Sequence, residues 1–214
     1  MKKVVVLLTL LGWLEAGSVA SGQSGVRVNI TPRQNMAGWT RVAIPPSRPL
    51  NPVSQWKLDP ARGVVICEGN GGHEWLRYDH PYRNFLFEVE WKLTRVAGKT
   101  DYNSGIFVRN SQDGNVWYQA QVGSAGGGFW FGDNPEQGVL KRFVLRPMVE
   151  PNRVTPAGEW NTYKIRCVGK TLTLSVNGFQ QSVYTQCNTP EGYLGLEAEG
   201  SRIEFRRLEV TVLP

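Results

Sequence analysis

Hydrophobic and polar positions alternate most cleanly within residues 102–130. Two strand-length stretches there flank a turn at residues 111–115, and a glycine-rich loop follows. Successive side chains of a strand point to opposite faces. Ile106 and Val108 therefore share one face of the first strand, and Asn103, Phe107 and Arg109 the other. In the second strand Tyr118, Ala120 and Val122 oppose Trp117, Gln119 and Gln121. One side of the hairpin suits a core. The other gathers amides, a guanidinium and aromatic surface into a patch fitted to a sugar.

The rest of the chain repeats this period of two. Phe85, Phe87, Val89 and Trp91 alternate with Leu86, Glu88, Glu90 and Lys92. Further strands are predicted at residues 56–58, 64–68, 159–166, 171–176, 192–200 and 202–212, with Asn177-Gly178 as a hairpin turn. Pro45, Pro46, Pro49 and Pro52 mark a stiff loop, and residues 123–158 read as a long glycine- and proline-rich connection of the kind that forms binding loops. No stretch carries the period of an ordinary amphipathic helix. The fold class predicted is all-β, an antiparallel β-sandwich.

The N-terminus changes the picture of where the chain works. Lys2 and Lys3 precede an apolar run, and Ser18-Val19-Ala20 offers small residues for cleavage. Residues 1–20 are read as a signal peptide cut near Ala20, residues 21–37 as an extended lead-in, and residues 38–214 as one domain. The expectation is an exported protein, periplasmic or extracellular, with no membrane span in the mature chain; the apolar run is short for a bilayer. The full chain of 214 residues carries a net charge of +6. Its basic residues are scattered rather than striped, which argues against a nucleic-acid partner. Cys67, Cys167 and Cys187 show no metal-ligand spacing. An exported chain allows one disulfide, with Cys167–Cys187 the preferred pair and three buried thiols the alternative.

An ordered set of motifs carries a resemblance. Gly38-Trp39, Trp75-Leu76 after a glycine turn, Asn103-Ser104-Gly105-Ile106-Phe107-Val108-Arg109, Tyr118-x-x-Gln121, Gly158-Glu159-Trp160-Asn161-Thr162-Tyr163 and Val176-Asn177-Gly178 follow one another. The set closes with Gly192-x-x-Gly195-Leu196-x-x-Glu199-Gly200. The chain resembles the 3-keto-disaccharide hydrolase domain family over roughly residues 38–212. The resemblance implies a concanavalin A-like jelly roll that acts on an oligosaccharide or glycoside. A ketone at the third carbon of a sugar acidifies the hydrogen on the second carbon. Loss of that proton expels the glycosidic oxygen from the first, and water then adds.

Such chemistry needs a base, an acid, and a cation or donors for the enolate. Glu199, in the closing motif, is the leading base, with His73 behind it. Arg109 is the candidate to hold the enolate. Asn103, Gln119, Gln121 and Glu197 are candidate readers of hydroxyls, and Trp75, Trp117 and Trp130 candidate stacking platforms. Trp39, Trp91 and Trp160 are expected in the core. Family members often carry a glutamate where this chain has Gln119, and a carboxamide cannot take a proton. The base is therefore expected across the cleft from the hairpin, unless the chain is a non-catalytic binding module. No metal site is assigned and no cofactor is named, although Glu197 and Glu199 could share a divalent cation. A conventional β-glucanase is disfavoured, because the chain lacks a Glu-x-Asp-x-x-Glu run.

Overall fold

The computed structural model describes residues 25–123 and 126–214. The signal peptide expected at residues 1–20 lies outside them. Among the described residues, no helix is long and apolar enough to cross a membrane.

The fold is all-β, with strands numbered in chain order and paired antiparallel in two sheets. The first sheet runs β13 (Phe179–Tyr184), β12 (Thr171–Val176), β11 (Asn161–Val168), β6 (Phe85–Leu93), β15 (Ile203–Val212), β4 (Val64–Cys67) and β3 (Trp56–Asp59), and β1 (Val26–Asn29) also pairs with β15. The second runs β10 (Val139–Val144), β9 (Trp130–Glu136), β8 (Trp117–Gly123), β7 (Asn103–Asn110), β14 (Tyr193–Ala198), β5 (Glu74–Tyr78) and β2 (Trp39–Ala43). The hairpin β7–β8 thus lies in the middle of its sheet, where neighbours fix its register on both sides.

Alternation decides the inner faces. Phe85, Phe87, Val89, Trp91 and Leu93 of β6 meet Ile106, Val108, Tyr118, Ala120 and Leu196 of the second sheet in one core. Each of the larger aliphatic and phenylalanine side chains contributes about 1.5–3 kcal/mol. Polar contacts also cross between the sheets: the Tyr163 hydroxyl donates to the Gln121 carbonyl over 2.7 Å, and the Trp56 indole N–H donates to Glu74 Oε1 over 2.9 Å.

Three expectations need correction. Residues 123–158 are not one long connection, because β9 and β10 form a hairpin within them. Its glycine disguises it: a Cβ on Gly132 would lie 2.1 Å from the Trp117 carbonyl oxygen, so the close approach of β8 requires glycine. The lead-in is partly a strand, since Val26–Asn29 pairs with the end of β15. The three cysteines are buried free thiols rather than a Cys167–Cys187 disulfide and a spare.

Candidate functional site

The outer face of the second sheet carries the site. Trp117, Gln119 and Gln121 point outward from β8. The cross-strand pairs Phe107–Gln119 and Phe107–Gly195 bring β7 and β14 onto the same face, and the pair Glu197–Trp75 adds β5. Two glycines hollow this surface. A Cβ on Gly105 would lie 2.2 Å from Gln119 Nε2, and one on Gly195 would lie 2.2 Å from the Trp75 ring. The space they leave is occupied by those two side chains, which line a cavity of about 150 Å³. Trp75, Phe107, Trp117 and Phe131 form its apolar end, and His73, Gln119, Glu197 and Glu199 its polar end. Ile44 and Pro46 of the proline-rich loop close one side.

The Glu197 carboxylate is 2 % exposed, and its two oxygens have different partners. Oε1 lies 2.9 Å from His73 Nε2, and Oε2 accepts from Gln119 Nε2 over 2.6 Å. Gln119 Nε2 also reaches Gln121 Oε1 at 3.3 Å, and Gln121 Nε2 donates to Asn103 Oδ1 at 2.7 Å. A chain of three amides therefore leads from the buried carboxylate out along the sheet. His73 is held from behind by its backbone. Its carbonyl accepts from the Ile44 amide, while buried Gln55 accepts from the Gly71 amide and donates to the Gly72 carbonyl. Glu74, the next residue, is buried and accepts from Arg41, Gln55 and Trp56.

Burial pushes Glu197 up from the ordinary carboxylate range, against the pull of the His73 bond. For His73, burial alone would lower the pKa. The bond to Glu197 and the charges of Glu197 and Glu199 outweigh burial and an opposing Arg48, so its pKa is raised. Both groups thus hold a proton to higher pH than they would in water. Glu199 Oε2 stands 4.0 Å from His73 Nε2, and its side chain is 38 % exposed. One ligand atom from each of His73, Glu197 and Glu199 lies within 4.8 Å of the others, a donor set able to hold a divalent cation. The sequence offered the two carboxylates for this; the turn at Gly71-Gly72 supplies the histidine.

Of the residues singled out from sequence, His73, Glu197, Glu199, Gln119, Trp75 and Trp117 meet in the cavity, and Asn103 and Gln121 continue the amide chain beside it. The carboxylates do not stand across a cleft from the hairpin. β14 pairs directly with β7, so they share the hairpin's own sheet.

Two candidates lie elsewhere. Arg109 sits at φ 51° in a β-bulge, where the β7–β14 register slips by one residue. The extra residue turns its side chain off the outer face. The guanidinium is fully buried and donates to the carbonyls of Arg83 at 2.5 Å, Gly169 at 2.5 Å and Thr189 at 3.2 Å. Trp130 pairs with Ala120, whose side chain faces inward, and is fully buried in the core. Its neighbour Phe131 is the aromatic that lines the cavity. Trp160, expected in the core, is only partly buried, with Arg206 and Lys92 over its ring. Phe131 and Asn110 were missed as cavity residues, and Phe107 was placed on the right face without being named as a candidate. Alternation would have found Phe131 had residues 130–136 been read as a strand.

Relatives share this frame. The chain is 24 % identical to a 3-keto-disaccharide hydrolase of Bacteroides thetaiotaomicron over 213 residues, covering 75 % of this chain and 71 % of that protein. Among solved structures, the carbohydrate-binding module CBM66 of Bacillus subtilis superposes with a TM-score of 0.59 at 15 % identity, over 81 % of this chain and 95 % of that one. A Bacillus licheniformis β-glucanase gives a TM-score of 0.53 at 12 % identity, over 89 % and 99 %. These likenesses establish the jelly-roll fold. The family model described as a 3-keto-alpha-glucoside-1,2-lyase-like domain matches residues 30–211, and the chain belongs to this carbohydrate-active family.

Proposed function

We propose that the chain, exported after loss of its leader, binds a 3-keto-glycoside in this cavity and cleaves it by elimination and hydration. The observation that carries the reading is the hydrogen-bonded His73–Glu197 pair with the partly exposed Glu199 carboxylate 4.0 Å away, at the end of an aromatic cavity. Glu199 is the base that takes the proton from the second carbon. As the bond between the first carbon and the glycosidic oxygen breaks, that oxygen keeps the electron pair and receives the proton of His73, which Glu197 keeps charged. An enone remains. Water then adds across it, its hydroxide to the first carbon, while Glu199 returns its proton to the second carbon and His73 regains one from the water. The sum is hydrolysis.

Glu197 has both oxygens engaged and acts by orienting His73 rather than by touching the sugar. Gln119, which cannot accept a proton, fixes Glu197 from the other side. The donor set favours a second reading, in which His73, Glu197 and Glu199 hold a divalent cation that polarises the ketone.

The test is incubation with a 3-keto-glucoside and its unoxidised parent, with and without chelator. Aglycone release from the keto form alone supports the enzyme, and loss of that release with chelator selects the cation reading. Binding of either sugar without turnover would make the chain a binding module and sink the proposal.

A further inference from the structure

Trp117, Asp133 and Arg142 stand directly opposite one another across β8, β9 and β10. The Trp117 indole N–H donates to Asp133 Oδ2 over 2.9 Å. Arg142 grips both Asp133 oxygens, at 2.5 and 2.9 Å, and its guanidinium lies 5.0 Å from the centre of the Trp117 ring. Phe131 meets the same ring edge-on at 5.0 Å, and Phe107 does so at 6.3 Å.

The row is not explained by stability. The Arg142 side chain is 59 % exposed, and ion pairs this wet contribute little to folding. What it does fix is the rotation of one indole. A tryptophan at a cavity rim can swing about two side-chain torsions; here an N–H acceptor, a cation over the ring and two edge-on aromatics leave it one orientation. A ring already held in place loses no rotamer freedom when a ligand packs against it.

We infer that Asp133 and Arg142 are positioning residues, which hold Trp117 as the preset wall against which the apolar face of the bound sugar ring packs. The inference rests on the sugar-site reading above, and it adds two residues outside the cavity to the determinants of affinity. Neither touches the His73–Glu197–Glu199 cluster, so they act on binding rather than on proton transfer.

The experiment uses the full mature chain. The Trp117 indole N–H resonance, assigned by its loss in Trp117→Phe, is recorded without ligand for wild type, Asp133→Ala, Asp133→Asn and Arg142→Ala. KM and kcat for a 3-keto-glucoside are measured on the same proteins. Asp133→Ala and Arg142→Ala are expected to shift and broaden the indole resonance and to raise KM about 5–10-fold, with kcat within about twofold. Asp133→Asn, which keeps an acceptor for the indole, is expected to recover most of the affinity. In a Trp117→Ala background, Asp133→Ala is expected to cost nothing further. An unmoved resonance, or an undiminished penalty in the Trp117→Ala background, overturns the clamp. A wild-type chain that binds no sugar overturns the sugar wall together with the proposed function, while the resonance still reports on the clamp itself.

Discussion

His73 and Glu197, 124 residues apart in sequence, meet at 2.9 Å, and the contact raises the histidine pKa while opposing the effect of burial on the carboxylate. Glu197→Gln removes the charge and charge-assisted bond that do most to raise His73, leaving the Glu199 charge alone against burial and Arg48. The His73 pKa, read by NMR titration, is expected to fall, and Arg48→Ala to raise it. His73 acts as the acid in the proposed reaction, so activity is lost as pH rises through its pKa. In Glu197→Gln that loss moves to lower pH, and kcat at neutral pH drops about 10²–10⁴-fold. An unchanged His73 titration would refute the coupling.

Gly195 makes room for Trp75. In Gly195→Ala the new methyl overlaps a ring that is buried on every side, so the indole must move. We expect a loss of about 1–3 kcal/mol in stability and weakened sugar binding, visible as a changed near-ultraviolet dichroism of the aromatic cluster.

Arg109 belongs to the fold and not to the chemistry. Arg109→Leu removes charge-assisted hydrogen bonds to the carbonyls of Arg83, Gly169 and Thr189, each contributing about 1.5–3 kcal/mol. The expected result is a melting temperature lowered by roughly 10 °C, with kcat unchanged wherever the variant remains folded. A selective loss of kcat at full stability would return Arg109 to the site.

Glu90 sets an acid limit on stability. Burial would raise its pKa, but hydrogen bonds and charge from Arg207 and Arg206 win, and it is lowered. A carboxylate depressed in the folded state stabilises above its unfolded pKa, and that contribution disappears as pH falls through the folded value. Unfolding free energies from denaturant melts of wild type and Glu90→Gln should therefore differ at pH 7, by about 1 kcal/mol or less because both arginines are exposed, and converge as pH falls below the ordinary carboxylate range.

Burial pushes the Cys67 thiol up to about 12 and raises Cys167 as well, so neither is a thiolate at pH 8. A thiol reagent should leave the native chain largely unlabelled and find three thiols after denaturation without reductant. One thiol would mean that a disulfide had formed.

The strands of the core were readable because alternation over five or more residues has one interpretation. The hairpin β9–β10 was not, since Gly132 and Pro135 are loop signals whose cause is a neighbouring strand far off in sequence. The outward set Asn103, Gln119, Gln121 and Trp117 followed from period two, and so did Glu197 with Glu199. His73 could be offered only as a loop histidine, because its partner lies on another strand. Arg109 was misplaced for a local reason: counting by twos assumes that every residue advances the pleat, and a bulge breaks the count. Trp130 was offered as a platform on the strength of its glycine-rich flank, whereas its pairing with Ala120 turns it inward.

The bulge also constrains how this strand can change over time. One residue both ties three distant loop carbonyls together and resets the phase that brings Asn110 to the cavity wall. A single deletion at 109 would realign the end of β7, turning Asn110 to the opposite face, and would release the loops in the same step. Substitution sacrifices the loops, deletion sacrifices the phase, and no single change restores both. Position 109 thus carries two demands at once, met by an arginine that lies outside the cavity.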